Sequence, residues 1–478
     1  MARILYILIA LWLSLYGIQA LILTFLYLWH RSNHSRARTP VLAIPAAWPH
    51  VVVQLPVYNE RLVIERLIDA AAALDYPHDC LEVQVLDDST DETSQLAEER
   101  AAYQRARGVD VRVLHRPVRD GFKAGALAWG MGQTDAELLV IFDADFSPPA
   151  DFLRRTVPSM ADRRVGMVQT RWAHLNEAYS TLTLAESIFI DGHFVVEQFA
   201  RNQSGLLMSF NGSGGVWRRR CIEEAGGWQS DTMTEDMDLS YRAQLAGWRC
   251  LYLPDVSAPA ELSPQIVAFK QQQARWAEGS VQCLRKLGPA ILSSRLSGVQ
   301  KLMALAHISN YLAAPLFVIL VLATLPVIWF AQPMPSDLTA VGFASLGPPL
   351  LLTVAQAALH RDWARRILYM PVLILIAMGI AWNTSRGVWR GLTHWGGTFN
   401  RTPKYRLEGR QGRWNGSLYA LLPDRAILGE IALMLYALLT VAVAWLRGSY
   451  GAMPYLLVYA TGFGLVAAMG LRQRAGLG

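Results

Sequence analysis

Four cysteines stand in 478 residues, and no two of them form a Cys-x-x-Cys pair. Cys80, Cys221, Cys250 and Cys283 are scattered, which argues against a disulfide framework or a zinc site and suits a reducing compartment. Charge is scarce too: Asp, Glu, Lys and Arg make up 17% of the chain, against 53% hydrophobic residues. The shortage is local. Charged residues are few before residue 31 and sparse after residue 302, while the middle has the composition of a soluble domain. A wholly soluble protein is thereby excluded. The formal net charge is +6, and the basic residues cluster in Arg31–Arg38, His360–Arg366 and Arg386–Arg413. Each cluster abuts an apolar segment, so a cytoplasmic membrane face explains them better than nucleic acid does. No convincing small-residue cleavage site follows the first apolar run, so an uncleaved span is expected there.

That run, Ile4–Trp29, is long enough to cross roughly 30 Å of hydrocarbon. Further spans are expected over Leu305–Phe330, Leu338–Leu359, Ile427–Leu446 and Met453–Leu471, with Gln332–Asp337 as an outside loop. Ile367–Trp382 is short, carries Pro371 and lies between two basic stretches. It is expected to lie on or shallowly in the cytoplasmic face. Five spans follow, with six as the alternative; the N-terminus is outside, and Arg472 and Arg474 are inside. The expected division is a transmembrane helix over 1–30, a basic cytoplasmic linker over 31–50, an α/β domain with interface helices over 51–290, and a transmembrane region over 291–478 containing an interfacial helix and a loop at about 365–425.

Between the apolar ends, strand patterns at Val51–Pro56, Glu82–Leu86, Val111–His115, Leu138–Phe142 and Val165–Arg171 alternate with helical patterns at Arg61–Leu74, Asp91–Arg107, a helix opening at Gly121, and Met237–Gly247. Alternation of this kind means a mostly parallel α/β sheet. Two strands run into acid pairs, Asp87-Asp88 and Asp143-Ala144-Asp145, at the carboxyl edge where open α/β sheets bind ligands. Two carboxylates where a strand frays can share one hard cation, which completes its shell from phosphate oxygens. Taken singly, each motif has a plainer reading. Asp-x-Asp could cap a loop, and Asp87-Asp88 could be a turn with a helix cap. Phe210–Gly215 could be a turn, Thr234 an N-cap, and Arg275-Trp276 a membrane-surface anchor.

In order, Asp87-Asp88, Asp143-x-Asp145, Thr234-Glu235-Asp236 and Gln272-Gln273-x-Arg275-Trp276 resemble the D, DxD, TED, Q(Q/R)xRW series of processive family 2 glycosyltransferases, the cellulose and hyaluronan synthase group. Val53–Glu60, Gln84–Asp91, Phe142–Phe146 and Glu224–Trp228 are most similar to the cellulose-synthase-like A and C proteins, which make glucomannan or β-glucan backbones, and to their bacterial relatives. The resemblance covers Val51–Leu287 strongly and the apolar remainder weakly. It implies an α/β GT-A domain, Rossmann-like and nucleotide-sugar-binding, cytoplasmic and inserted between transmembrane α-helices of a multi-pass protein of the cell (inner) membrane.

The resemblance further implies that Asp87 and Asp88 line the nucleotide site and that Lys123 neighbours the diphosphate. Asp143 and Asp145 would hold Mg2+ or Mn2+, Asp145 as the direct ligand. Asp236, within Thr234-Glu235-Asp236, would be the catalytic base. Gln272, Arg275 and Trp276 would bracket the acceptor end and the diphosphate, with Asn211 and Gly212 on the acceptor side. Phe399-Asn400-Arg401-Thr402-Pro403-Lys404 resembles an FxVTxK gating loop, with Phe399, Thr402 and Lys404 as the matching positions and Arg401 in place of the valine. Asn211 stands where bacterial cellulose synthases have cysteine.

The chemistry requires such groups. An alcohol is a poor nucleophile and needs a carboxylate within hydrogen-bond reach. The leaving diphosphate gains charge that a metal and a guanidinium can stabilise. An indole face can stack on a sugar. The expected function is inverting transfer of a hexose from GDP-mannose or UDP-glucose to a growing β-linked, β-1,4 by resemblance, polysaccharide secreted across the membrane. A non-processive transfer to a membrane lipid acceptor is the alternative, and a non-catalytic transporter the remote one. The expected partners are the nucleotide-sugar donor, the glycan acceptor and the lipid bilayer, with no nucleic acid; a translocation or envelope partner is left open.

Overall fold

The computed structural model describes residues 2–34, 47–330, 339–398, 401–415, 417, 419–422 and 425–474. Most of the basic linker, the Gln332–Asp337 loop and Phe399 lie outside the described residues.

Seven strands form one sheet: β1 (Val51–Val57), β2 (Leu81–Asp87), β3 (Asp110–His115), β4 (Leu138–Ile141), β5 (Val165–His174), β6 (Gly215–Arg218) and β7 (Arg249–Ala260). Their spatial order is β3-β2-β1-β4-β6-β5-β7. β1, β2, β3 and β4 pair in parallel, as the alternation of strand and helix requires. The side chains of β2 and β4 are buried throughout, the signature of a strand covered on both faces. β6 is the exception to the parallel arrangement, running antiparallel between β4 and β5. Register places Val57 beside Asp87 and Gln54 beside Ile141. The chain therefore leaves β1, β2 and β4 along one edge, and the cleft opens there.

β6 and β7 were not expected from the sequence. β6 is only Gly-Val-Trp-Arg after a glycine-rich loop. β7 contains Pro254 and Pro259, which read as strand breakers, but it is an edge strand, where proline is tolerated. At Pro254 the β5–β7 register jumps from Thr170↔Leu253 to Arg171↔Ser257. The irregularity is followed by β5 residues Trp172, Ala173 and His174, which line the cleft.

Among the described residues, five helices are long and apolar enough to cross a membrane: Ala2–Asn33, Asn310–Trp329, Gly342–Leu359, Ala426–Leu446 and Tyr450–Gln473. The segment expected to lie on or shallowly in the membrane face is part of a bent pair. Trp363–Gly379 and Ala381–Thr393 form a helix pair bent by 46°. Its first half packs into the bundle, with Gly379 against the backbone of Gly462. The count is thus five, or six if the bent pair is one span. Its second half lies on the helix Ile266–Ser293, where Gly387 meets the backbone of Ala274 and Gly391 that of Glu278. Two glycines four residues apart let the two backbones touch.

Candidate active site

β4 is four buried apolar residues, and the two acids follow where its ladder ends. The Asp143 N–H donates to Ser213 Oγ (2.9 Å), tying the end of β4 to the loop before β6. Asp143 Oδ1 accepts from Lys123 Nζ at 2.5 Å, and the same ammonium donates to the Gly212 carbonyl at 2.9 Å. Burial disfavours the Lys123 charge, yet Asp143 and Glu235 outweigh it and hold its pKa above the ordinary lysine value. Asp145 is buried and turns into the cleft, where Oδ2 accepts from Lys404 Nζ at 2.6 Å.

Thr234 occupies the N-cap position of the helix Glu235–Leu245, but its side chain caps nothing. Its hydroxyl instead meets the Cys283 thiol at 3.4 Å on the helix Ile266–Ser293. Gly279 of that helix faces it so closely that a Cβ there would lie 2.6 Å from the Thr234 side chain. Asp236, the second residue of the helix Glu235–Leu245, lines the cleft. Its Oδ1 accepts from the Met237 N–H at 2.8 Å, and Oδ2 lies 3.0 Å from where a Cβ on Gly212 would stand. Gly212 has φ +81, so its backbone and the lack of a side chain both serve this approach. Burial, then the neighbouring Glu235, pushes the Asp236 carboxyl up to about 7. Burial raises Glu235 as well.

The helix Ile266–Ser293 presents Gln272, Arg275 and Trp276 to the same cleft. Gln272 Oε1 is buried with no hydrogen-bond partner among the described residues. Burial lowers the Arg275 pKa from the usual arginine value, against the pull of Glu235, Asp143, Asp236 and Asp145. Asn211 lines the cleft and is held from behind: its amide oxygen accepts from Gln198 Nε2 at 2.6 Å and its N–H from the backbone donates to Gln169 Oε1. Gln198 closes a π-helical turn, Gly192–Gln198, a form that recurs at functional sites.

Asp87 and Asp88 are placed differently from expectation, and neither lines the cleft. The Asp87 carboxylate is fully buried; it accepts from the Ser89 N–H (2.9 Å) and Ser94 Oγ (2.5 Å) and meets His115 Nδ1 (2.9 Å). It knits β2 to β3 and to the helix Thr93–Arg105. Asp88 takes a two-pronged bond from Arg116, at 2.7 and 2.5 Å. This end of the cleft is instead walled by Tyr58 and Arg119, whose guanidinium lies 3.4 Å over the Tyr58 ring. Sequence reasoning also missed Glu60, Trp172, His174 and Glu186 as cleft residues. Tyr58 and Glu60 follow β1 at the same edge as the acid pairs; the others carry no local pattern.

The segment after residue 400 enters the cleft, with Thr402 and Lys404 in its wall. Arg401 Nη1 bonds Glu60 Oε2 at 3.0 Å, and its guanidinium lies over Tyr419 at 4.1 Å. The Tyr405 and Leu407 N–H groups both donate to the Glu261 carboxylate, at 2.8 and 3.2 Å. The cleft encloses about 1240 Å³ of space including its open mouth.

A divalent metal fits this donor set in one way. Among the described residues no three His, Cys, Asp or Glu groups form a metal cage. Asp143 and Asp145 offer two hard oxygens beside the cleft, and each already faces an ammonium group. The seat accepts positive charge, and most of a metal's shell would have to come from a phosphate-bearing ligand.

Residues 49–279 match the family described as "Glycosyltransferase like family 2". The probable glucomannan 4-beta-mannosyltransferase 7 of Oryza sativa subsp. japonica is 44% identical over 253 residues, covering 52% of this chain and 43% of that protein. Glucomannan 4-beta-mannosyltransferase 2 of Arabidopsis thaliana is 42% identical over 253 residues, 52% of this chain and 47% of its own. The matches thus span under half the length of these curated relatives. Among solved structures, the mannosyltransferase PcManGT from Pyrobaculum calidifontis, in complex with GDP-Man and Mn2+, superposes with a TM-score of 0.54 at 24% identity, covering 80% of this chain and 99% of that one. That likeness carries the fold: residues 49–279 of this chain are similar to glycosyltransferase family 2 and are built on the GT-A fold.

Proposed function

We propose that the protein is a membrane hexosyltransferase that moves mannose, with inversion, from GDP-mannose to the end of a β-1,4-linked glycan. One observation carries this reading: groups from four distant stretches, Asp143 and Asp145, Asp236, Arg275 with Trp276, and Lys404, line one cleft. The relatives at 42–44% identity are glucomannan 4-beta-mannosyltransferases by name, which supports mannose and the β-1,4 linkage. The apolar helices on either side of the domain support processive synthesis with secretion, the domain being on the cytoplasmic side.

The acceptor hydroxyl gives its proton to Asp236 Oδ2, the oxygen that faces Gly212 rather than its own helix. The hydroxyl oxygen bonds to the anomeric carbon from one face as the bond to the diphosphate oxygen breaks on the other. Arg275 and Lys123 lie where the leaving charge grows. Trp276 gives the terminal acceptor sugar a flat apolar face, and Gln272 Oε1 accepts from one of its hydroxyls. A divalent cation on Asp143 and Asp145 would neutralise diphosphate charge.

A donor screen tests this. Purified full chain is given GDP-mannose or UDP-glucose with Mn2+ or Mg2+, and the product is sized and its linkages determined. Long β-1,4-mannan from GDP-mannose supports the reading. Glucan from UDP-glucose overturns the sugar assignment, and one sugar per acceptor overturns processivity.

A further inference from the structure

The segment Arg401–Leu407 has no helical or strand pairing to hold it in the cleft. It is held by charge. Lys404 Nζ rests on Asp145 Oδ2 at 2.6 Å, and Arg401 rests on Glu60 at 3.0 Å. All four side chains are 15% exposed or less, so these pairs are only weakly screened by water. Glu261 anchors the far end by taking two consecutive-but-one backbone N–H groups. Among the described residues Lys404 is the cation in contact with the Asp145 carboxylate, with the Arg275 charge acting on it from the same cleft; the Lys123 ammonium is committed to Asp143 and the Gly212 carbonyl.

From this geometry we propose that Lys404 is a built-in counter-ion that fills the cation seat on Asp145, so that a divalent metal binds well only together with a nucleoside diphosphate. The inference rests on the function proposed above. A metal ion arriving alone must strip the ammonium from Asp145 and leave it buried with no contacting anion, only the charges of Glu261 and Glu60 nearby, which is costly. A metal arriving with a diphosphate brings anionic oxygens as well. Lys404 then exchanges one oxygen partner for another while the metal takes Asp145. Charge is balanced at each stage, and Arg401 can make the same exchange from Glu60. The protein is thereby kept from holding free metal, and the segment is released from the acid only when the donor is in place.

Mn2+ binding to the purified full chain, read from the EPR signal of free Mn2+, tests this without any turnover. Without nucleotide, Lys404→Met should bind Mn2+ about tenfold more tightly than wild type, and Lys404→Arg should bind as weakly as wild type. The gain should vanish in Lys404→Met/Asp145→Asn. Added GDP should tighten Mn2+ binding by wild type strongly and by Lys404→Met much less. Equal Mn2+ affinity of wild type and Lys404→Met without nucleotide overturns the proposal, as does a gain that survives loss of Asp145. Should Lys404→Met fail to fold, Lys404→Gln is read against the same criterion. If neither GDP nor UDP alters Mn2+ binding in any variant, it is the nucleotide-sugar reading that fails; the comparison without nucleotide still decides the role of Lys404.

Discussion

Asp236 has one oxygen committed to the Met237 N–H and the other left for substrate. Asp236→Asn keeps the shape and removes the base, so transfer should fall by about 10²–10⁴-fold while Mn2+·GDP binding, followed by calorimetry, stays within a few-fold. With the carboxyl pushed up to about 7, the base is protonated on the acid side, so kcat/KM should rise with pH and level off above about 7. A profile flat from pH 5 to 8 would remove Asp236 from that role. Glu186 offers a separate reading of the cleft's electrostatics. Burial raises it from 4.5 to about 8. A carboxyl raised on folding binds more protons folded than unfolded, so its contribution is complete below about 4.5 and is lost as pH rises through about 8. The Tm of wild type should therefore fall from pH 5 to 8 more steeply than that of Glu186→Gln. The acids also show what residue-level reading can reach. Asp143 and Asp145 were legible from their place at a strand end, and Asp236 only through the resemblance of Thr234-Glu235-Asp236. Asp87 is ambiguous from sequence because an acid at a strand end satisfies a turn, a helix start and a neighbouring histidine as well as it lines a nucleotide site.

The helix Ile266–Ser293 fixes the height of the catalytic turn through Gly279. Gly279→Ala puts a methyl group 2.6 Å from Thr234, so Thr234-Glu235-Asp236 must shift. Transfer should drop by about tenfold or more, beyond what a modest fall in Tm accounts for, since misplacement of a reacting group is enough to slow chemistry. On the next faces of the same helix, Gly387→Leu should strike the Ala274 carbonyl and destabilise the fold by about 1–3 kcal/mol, seen as a lower Tm in detergent. The parallel strands β1 to β4 were readable because β-formers run together in β1 and β4 and alternate with polar residues in β2 and β3. β6 and β7 were not: one is four residues after glycines, and the other survives its prolines only because it has a free edge. Edge position is a tertiary fact that no local window contains.

At the scale of the molecule, one buried ion pair joins the cleft's scaffold to the apolar bundle. Lys270 Nζ lies 2.6 Å from Glu430 Oε1, both side chains almost fully buried. Removing one partner leaves a buried charge, so Glu430→Gln should cost about 3–5 kcal/mol, while Lys270→Met/Glu430→Leu should recover much of that loss. Thermal unfolding of the three proteins in one detergent checks it. The apolar helices were visible in composition alone. The 46° bend near Ile380 was not, because it depends on Gly379 meeting Gly462 and on Gly387 and Gly391 meeting the helix Ile266–Ser293.

The helix Ile266–Ser293 carries the cleft-lining Trp276, backs the Thr234-Glu235-Asp236 turn, and takes both Gly387 and Gly391 against its spine. A truncation that keeps the sheet and stops near residue 290 would strip that spine of its cover. Anyone seeking a water-soluble enzyme from this chain by trimming away the bundle should expect a protein that precipitates or lacks activity, because the seam between the two halves runs through the middle of a catalytic element and leaves no clean place to cut.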